Sequence, residues 1–171
     1  SNIIKYYNFF SQREFKGKMR SMIFINQYNS KKKLSNQDFD IFQPTYYDSY
    51  FLKSIWNKPY VLTVFDMIHE KFPDMFISKD RTSENKKILL EKASKIIAIS
   101  KSTKRDIIEL FGISESKIEV VYLGNSMVVK KNQKINLDIP KEYILFVGSR
   151  NTYKNFAKFI ESAKVKWITY L

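Results

Sequence analysis

Gly148, Arg150 and Lys154 stand within seven residues of one another in Tyr143–Asn155, YILFVGSRNTYKN. A glycine there lets the chain turn sharply and brings its backbone close to a ligand, while Arg150 and Lys154 put fixed positive charge at the mouth of the following helix. Arginine offers a planar fork of donors and lysine a compact cation, and a helix start presents free N–H groups, so the combination suits an anion such as a diphosphate. Asn155 closes the same turn. A second candidate pair, Asp66 and His69, follows the run YVLTVF (Tyr60–Phe65). His69 is the only histidine, and an imidazole with an ordinary pKa near 6.5 can bind or polarise a hydroxyl. Ser100 and Thr103 are expected to cap a helix, and Glu84 and Glu91 to lie solvated on a helix surface.

The elements that must position these residues follow from periodicity. Tyr60–Phe65, Ile96–Ile99, Ile118–Tyr122 and Tyr143–Val147 are short β-branched and aromatic runs, each expected as a strand. The all-apolar Ile96–Ile99 run predicts a strand covered on both faces, and Tyr143–Val147 a buried parallel strand. Glu84–Ala93 reads as a helix with Ile88, Leu89 and Ala93 inward and its lysines outward. Thr103 and Asp106 have capping-box spacing, Ile107, Leu110 and Phe111 form one face, and Gly112 ends that helix. Phe156, Phe159, Ile160 and Ala163 mark another helix. Asn26–Asp38, polar and containing the only lysine triple, reads as a loop. Strands alternating with helices predict an α/β domain with a Rossmann-like parallel sheet, whose ligands sit at the carboxyl ends of the strands. The loops after Phe65, Ile99, Tyr122 and Val147 are therefore where function is sought. Four glycines leave no GxGxxG, which disfavours a simple dinucleotide-binding domain, and no Walker lysine motif is present.

Composition narrows the classes. With 171 residues and 44% hydrophobic content the chain can build a core. It has no cysteine, which excludes a disulfide scaffold, a zinc–thiolate site and a cysteine nucleophile. No apolar run approaches the length of a membrane span and no signal-peptide pattern opens the chain. The net charge of +13 suits anionic headgroups. The lysines are nonetheless spread along a chain rich in Lys, Asn, Ile, Tyr and Phe, as codon bias in an AT-rich genome produces. Without a recognition motif, no nucleic-acid partner is expected.

The series VLTVFDMIHEKFP (Val61–Pro73), KIIAISKSTKRDIIELFGI (Lys95–Ile113), KIEVVYLG (Lys117–Gly124) and YILFVGSRNTYKN resembles retaining glycosyltransferases of the GT-B type, family 4, in words, order and spacing. The likeness runs from about Phe39 to Ala163 and is strongest to bacterial mannosyltransferases that build O-antigen, the polysaccharide of lipopolysaccharide, or capsule. It implies two facing Rossmann-like domains, an acceptor domain over 1–124, a linker over 125–140 and the start of a donor domain over 141–171. The chain is expected to be truncated at both ends, because two such domains need roughly 300 residues.

By the resemblance Arg150 and Lys154 are the catalytic cations and bind the donor with Gly148 and Asn155, without a metal or other cofactor. Asp66 and His69 fall on the acceptor side. Members often carry His-Asp where this chain has Phe65-Asp66. The implied partners are a nucleotide sugar, with GDP-mannose as the guess, and a glycan or lipid-linked acceptor. The implied location is cytoplasmic, peripheral at the inner face of the plasma membrane. The family's Glu-x7-Glu does not follow Asn155, so the fragment is expected to be inactive alone. The alternative is the acceptor-binding or assembly half of a split transferase acting with a partner chain; a generic phosphate-binding α/β module ranks third. A lone strand and helix cannot bury their own faces, so the segment after 140 has to pack on the first domain, pair with another chain or move freely.

Overall fold

The computed structural model describes residues 15–125, 143–150 and 152–164. In chain order the elements are α1 (Lys18–Ser35), β1 (Val61–Val64), α2 (Ile68–Lys71), α3 (Thr82–Lys92), β2 (Lys95–Ala98), α4 (Lys101–Phe111), β3 (Ile118–Val120) and α5 (Phe156–Lys164). Single 3-10 turns interrupt the connections, among them Pro73–Met75 and Thr152–Lys154. The strands form one parallel sheet in the order β1-β2-β3, with Val61 beside Lys95, Val64 beside Ala98 and Ile96 beside Ile118. This is the α/β, Rossmann-like arrangement that the alternation of strand and helix predicts.

The core lies on one face of the sheet. Leu62, Val64, Ile96, Ala98 and Ile118 are buried with Leu89, Leu90, Ala93 and Ile107 from the helices. Residues of the long segment before β1 complete it: the Phe51 ring lies 4.8 Å from Phe42 and meets Tyr60 edge-on at 5.3 Å. Tyr60 gives its hydroxyl to the carbonyl of Leu89 at 2.6 Å, tying the start of β1 to the end of α3. Burial raises its pKa, because the phenolate would lose its hydration.

Several expectations need correction. Within β2, Ile96 and Ala98 are buried but Ile97 is only partly so, and β1 alternates in the same way; one face is covered, not both, among the described residues. Asn26–Asp38 is not a loop. Its residues to Ser35 are the second half of α1: no glycine or proline interrupts them, and Lys32 and Lys33 fall in the last turn, where cations complement the exposed carbonyls. In α3 the inward residues are Lys86, Leu89 and Leu90, whereas Ile88 is exposed, so not every lysine faces outward. Leu110 of α4 is exposed as well.

Tyr143–Val147 is the largest departure. It joins no strand ladder, and Tyr143, Ile144, Leu145 and Val147 are exposed. A strand needs a neighbour to satisfy its backbone, and no described strand lies beside it. The proposed linker falls almost wholly outside the described residues.

α4 begins as its sequence requires. The Ser100 hydroxyl accepts the Thr103 N–H at 3.0 Å, and Gly112 ends the helix at φ +64°. Ser100 is the cap and Thr103 lies inside the first turn, one turn earlier than the capping-box spacing of Thr103 and Asp106 suggests. Ser100→Ala is expected to cost about 1 kcal/mol in urea unfolding, with no loss for Ser102→Ala on the exposed side.

Candidate functional site

The carboxyl end of β1 runs straight into Phe65, Asp66 and α2, and side chains from three other segments grip this loop. The Phe65 N–H donates to the Tyr47 hydroxyl at 3.0 Å, and the Thr103 hydroxyl donates to the Phe65 carbonyl at 3.4 Å. The Lys86 ammonium donates to the Asp66 carbonyl at 3.0 Å and to Glu70 Oε2 at 2.9 Å, and it lies 4.7 Å from the Tyr47 ring centroid. The Lys86 and Glu70 side chains are 0% and 4% exposed. Burial pushes the Tyr47 phenol up to about 12; the hydrogen bond from Phe65 opposes the shift, and the nearby Asp66 charge adds to it. Fixed main-chain contacts of this kind hold a loop in one geometry before any ligand arrives.

One Asp66 carboxylate oxygen accepts the Ile68 N–H at 3.1 Å, in the turn that leads into α2. His69 lies in α2 with Nε2 3.4 Å from Asp80 Oδ2, and its ring stacks on Phe76 at 3.8 Å and 23°. The Thr82 hydroxyl and N–H, and then His69, hold the Asp80 carboxyl below the usual carboxylate range. Two buried atoms have no hydrogen-bond partner among the described residues, His69 Nδ1 and Glu70 Oε1. Lys71 reaches across to Asp106 of α4 at 3.1 Å, which ties this loop to the helix after β2.

At the second candidate turn Gly148 has φ +153°, a conformation L side chains rarely adopt. Phe146 packs on Phe156 at 4.9 Å and on Phe159 at 5.2 Å, which anchors the extended segment to α5. The Arg150 guanidinium sits over Phe156 at 5.1 Å and the Lys154 ammonium over Tyr153 at 5.0 Å. Among the described residues no carboxylate pairs with either cation. Asn155 takes the left-handed conformation at φ +57°, and its carbonyl accepts the Phe159 N–H at the start of α5.

The two turns meet through aromatic rings. Tyr153, between Arg150 and Lys154, packs 5.9 Å from Phe76, the ring that covers His69. The sequence-predicted residues therefore lie in two loops joined by a His69–Phe76–Tyr153 stack. Glu84 pairs with Arg81 on the surface, as a solvated helix residue would. Among the described residues no three carboxylate or histidine side chains converge as a metal site requires.

Sequence reasoning missed Tyr47, Glu70, Phe76, Asp80, Lys86 and Tyr153. One signal was available: Lys86, Leu89, Leu90 and Ala93 share helical spacing of three, four and seven, which puts a lysine on the buried face. The others are brought together only by folding.

A family model described as Glycosyltransferase Family 4 matches residues 4–125, more than two thirds of the chain. No curated protein matches it.

Proposed function

The chain belongs to glycosyltransferase family 4, and from that membership we propose that it carries the acceptor side and the first donor-binding turn of a sugar transferase. One observation carries this reading. The turn with Gly148, Arg150 and Lys154 packs through Tyr153 on the loop that holds Asp66 and His69. Cleavage of a sugar–diphosphate bond leaves growing negative charge on the departing phosphate oxygen. Arg150 and Lys154, free of carboxylate partners among the described residues, are placed to stabilise that charge more in the transition state than in the ground state. Gly148 admits close backbone approach and Asn155 starts the helix behind it. No metal is needed for this role.

On this reading residues 1–124 form the acceptor unit, 125–140 a connection and 141–171 the opening of the donor unit. The donor is a nucleotide sugar, GDP-mannose by family likeness, and the acceptor a glycan or lipid-linked glycan of a bacterial surface polysaccharide. Asp66 and His69 line the acceptor side, with the Asp80 carboxylate orienting the imidazole. Among the described residues no helix is long and apolar enough to cross a membrane.

The exposed Ile144, Leu145 and Val147 favour a second form of the same reading. A segment so uncovered gains by accepting strands from a partner chain that supplies the rest of the donor unit. The test is turnover of radiolabelled GDP-mannose with a lipid-linked acceptor extract. With a donor unit carrying Glu-x7-Glu supplied, sugar transfer is expected, and Arg150→Ala is expected to lower it by roughly a hundredfold or more. Transfer that Arg150→Ala leaves unchanged would overturn this role for the turn.

A further inference from the structure

Two rings, one from each loop of the candidate site, are turned inward while their neighbours are exposed. Across residues 71–80 Phe76 alone is half-buried, and Phe72, Met75 and Ile77 around it are exposed. Its ring lies nearly flat on the His69 imidazole at 3.8 Å, and its N–H donates to the Pro73 carbonyl at 3.1 Å. The Nε2 side of the imidazole faces Asp80, whose other carboxylate oxygen accepts the Thr82 N–H at 2.8 Å at the start of α3. In the later turn Tyr153 is half-buried, whereas Lys154 and Asn155 are exposed. The Tyr153 ring meets Phe76 at 5.9 Å and 32°, and the Lys154 ammonium rests over that same ring at 5.0 Å. One ring therefore touches both a cation of the donor turn and the ring that covers His69. Arg150 differs: its guanidinium lies over Phe156, which packs on Phe146 and Phe159 within the later segment.

We propose that Tyr153 and Phe76 are positioning residues that transmit occupancy of the diphosphate turn to His69 on the acceptor side. The proposal rests on the reading of residues 148–155 as the donor turn and adds a means of regulating that site. A ligand shifts a protein between two arrangements only where it interacts unequally with them. Here the two arrangements belong to Lys154. In the structure its ammonium lies on the face of Tyr153, a contact that is weak at an exposed position. A diphosphate oxygen offers a charge-assisted hydrogen bond, which is stronger, so binding draws Lys154 off the ring. Tyr153 then loses the cation that favours its present tilt against Phe76. Both rings resettle, and the imidazole stacked on Phe76 moves with them. The displacement passes through rings in contact, a contiguous physical path from one loop to the other. By linkage, an acceptor hydroxyl that engages His69 changes the affinity for the diphosphate by the same factor.

His69 is the only histidine, so its ring protons report on one site without ambiguity. The test is titration of inorganic pyrophosphate, at constant pH, into the parent protein, Tyr153→Ala and Tyr153→Phe. The His69 ring signal and the amides of Gly148 and Arg150 are followed together by NMR. In the parent the ring signal is expected to move in step with the amides and to saturate at the same concentration. In Tyr153→Ala the amides should still move, with a dissociation constant within about fivefold of the parent's because only a weak cation–ring contact is lost. The His69 signal should no longer respond. Tyr153→Phe keeps the ring without the hydroxyl and should restore the response. Unmoved amides in β1, β2 and β3 show that each variant is folded. A ring signal that stays fixed in the parent while the amides move overturns the relay and leaves the diphosphate reading standing. So does an equal response in Tyr153→Ala, which would mean that His69 senses the anion directly. Amides of Gly148 and Arg150 that ignore pyrophosphate overturn both.

Discussion

Lys86→Ala is expected to destabilise the protein by about 3–5 kcal/mol, read as a lower urea midpoint with an unchanged slope. Lys86 and Glu70 are both out of water, and removal of the ammonium leaves the Glu70 carboxylate buried with no cation beside it. The Asp66 carbonyl loses a donor in the same step. The magnitude comes from stranding a charge, so it should depend on the partner. Lys86→Met combined with Glu70→Gln replaces the pair by neutral groups of similar size and should recover most of the loss. If Lys86→Ala alone cost less than about 1 kcal/mol, the pair would be behaving as a solvated surface bridge, and the loop after β1 would not be held as described. The double variant also separates stability from position, since it restores the fold without restoring the hydrogen bond to Asp66.

The second large effect concerns the cations of the later turn. In an assembly that transfers sugar, Arg150→Ala and Lys154→Ala are each expected to lower the transfer rate by roughly a hundredfold to a thousandfold. Both are surface side chains resting on aromatic rings, so the melting temperature should barely move. Arg150→Lys is the informative conservative change. It keeps the charge but loses the planar fork that matches two phosphate oxygens, and it should fall between the parent and Arg150→Ala. Equal rates for all three would remove Arg150 from the chemistry and leave it as a cation stacked on Phe156.

Much of the fold is legible in the sequence, and the exceptions share a cause. Val61–Val64, Lys95–Ala98 and Ile118–Val120 carry β-branched side chains at strand spacing and fold as strands; the Ser100 and Gly112 ends of α4 are written in local chemistry. Local chemistry also misled. Lys31–Lys33 reads as a solvated loop because lysine is polar, yet lysine is a good helix former and the triple ends α1. Tyr143–Val147 has strand propensity, but a strand is completed by its neighbours, and propensity alone left it exposed. In α3 the expectation that lysines point outward overrode a helical spacing that placed Lys86 inside. For the candidate site, Asp66, His69, Arg150 and Lys154 could be picked by type and by their place after strands. Their environment could not. That Tyr47, Glu70 and Lys86 meet around one loop, and that Phe76 joins His69 to Tyr153, depends on residues far apart in the chain.

On the proposed function the Gly148–Asn155 turn binds a diphosphate beside the loop after β1. Titration of GDP, UDP and inorganic pyrophosphate into isotopically labelled protein, followed by amide chemical shifts, tests it most directly. The nucleotides and pyrophosphate are expected to shift the amides of Gly148 to Asn155 and, through Tyr153, those near Phe76 and His69. Arg150→Ala with Lys154→Ala should weaken that binding by about tenfold to a hundredfold, the worth of one or two charge-assisted hydrogen bonds. Shifts confined to other cationic surfaces, or binding indifferent to the double substitution, would contradict it.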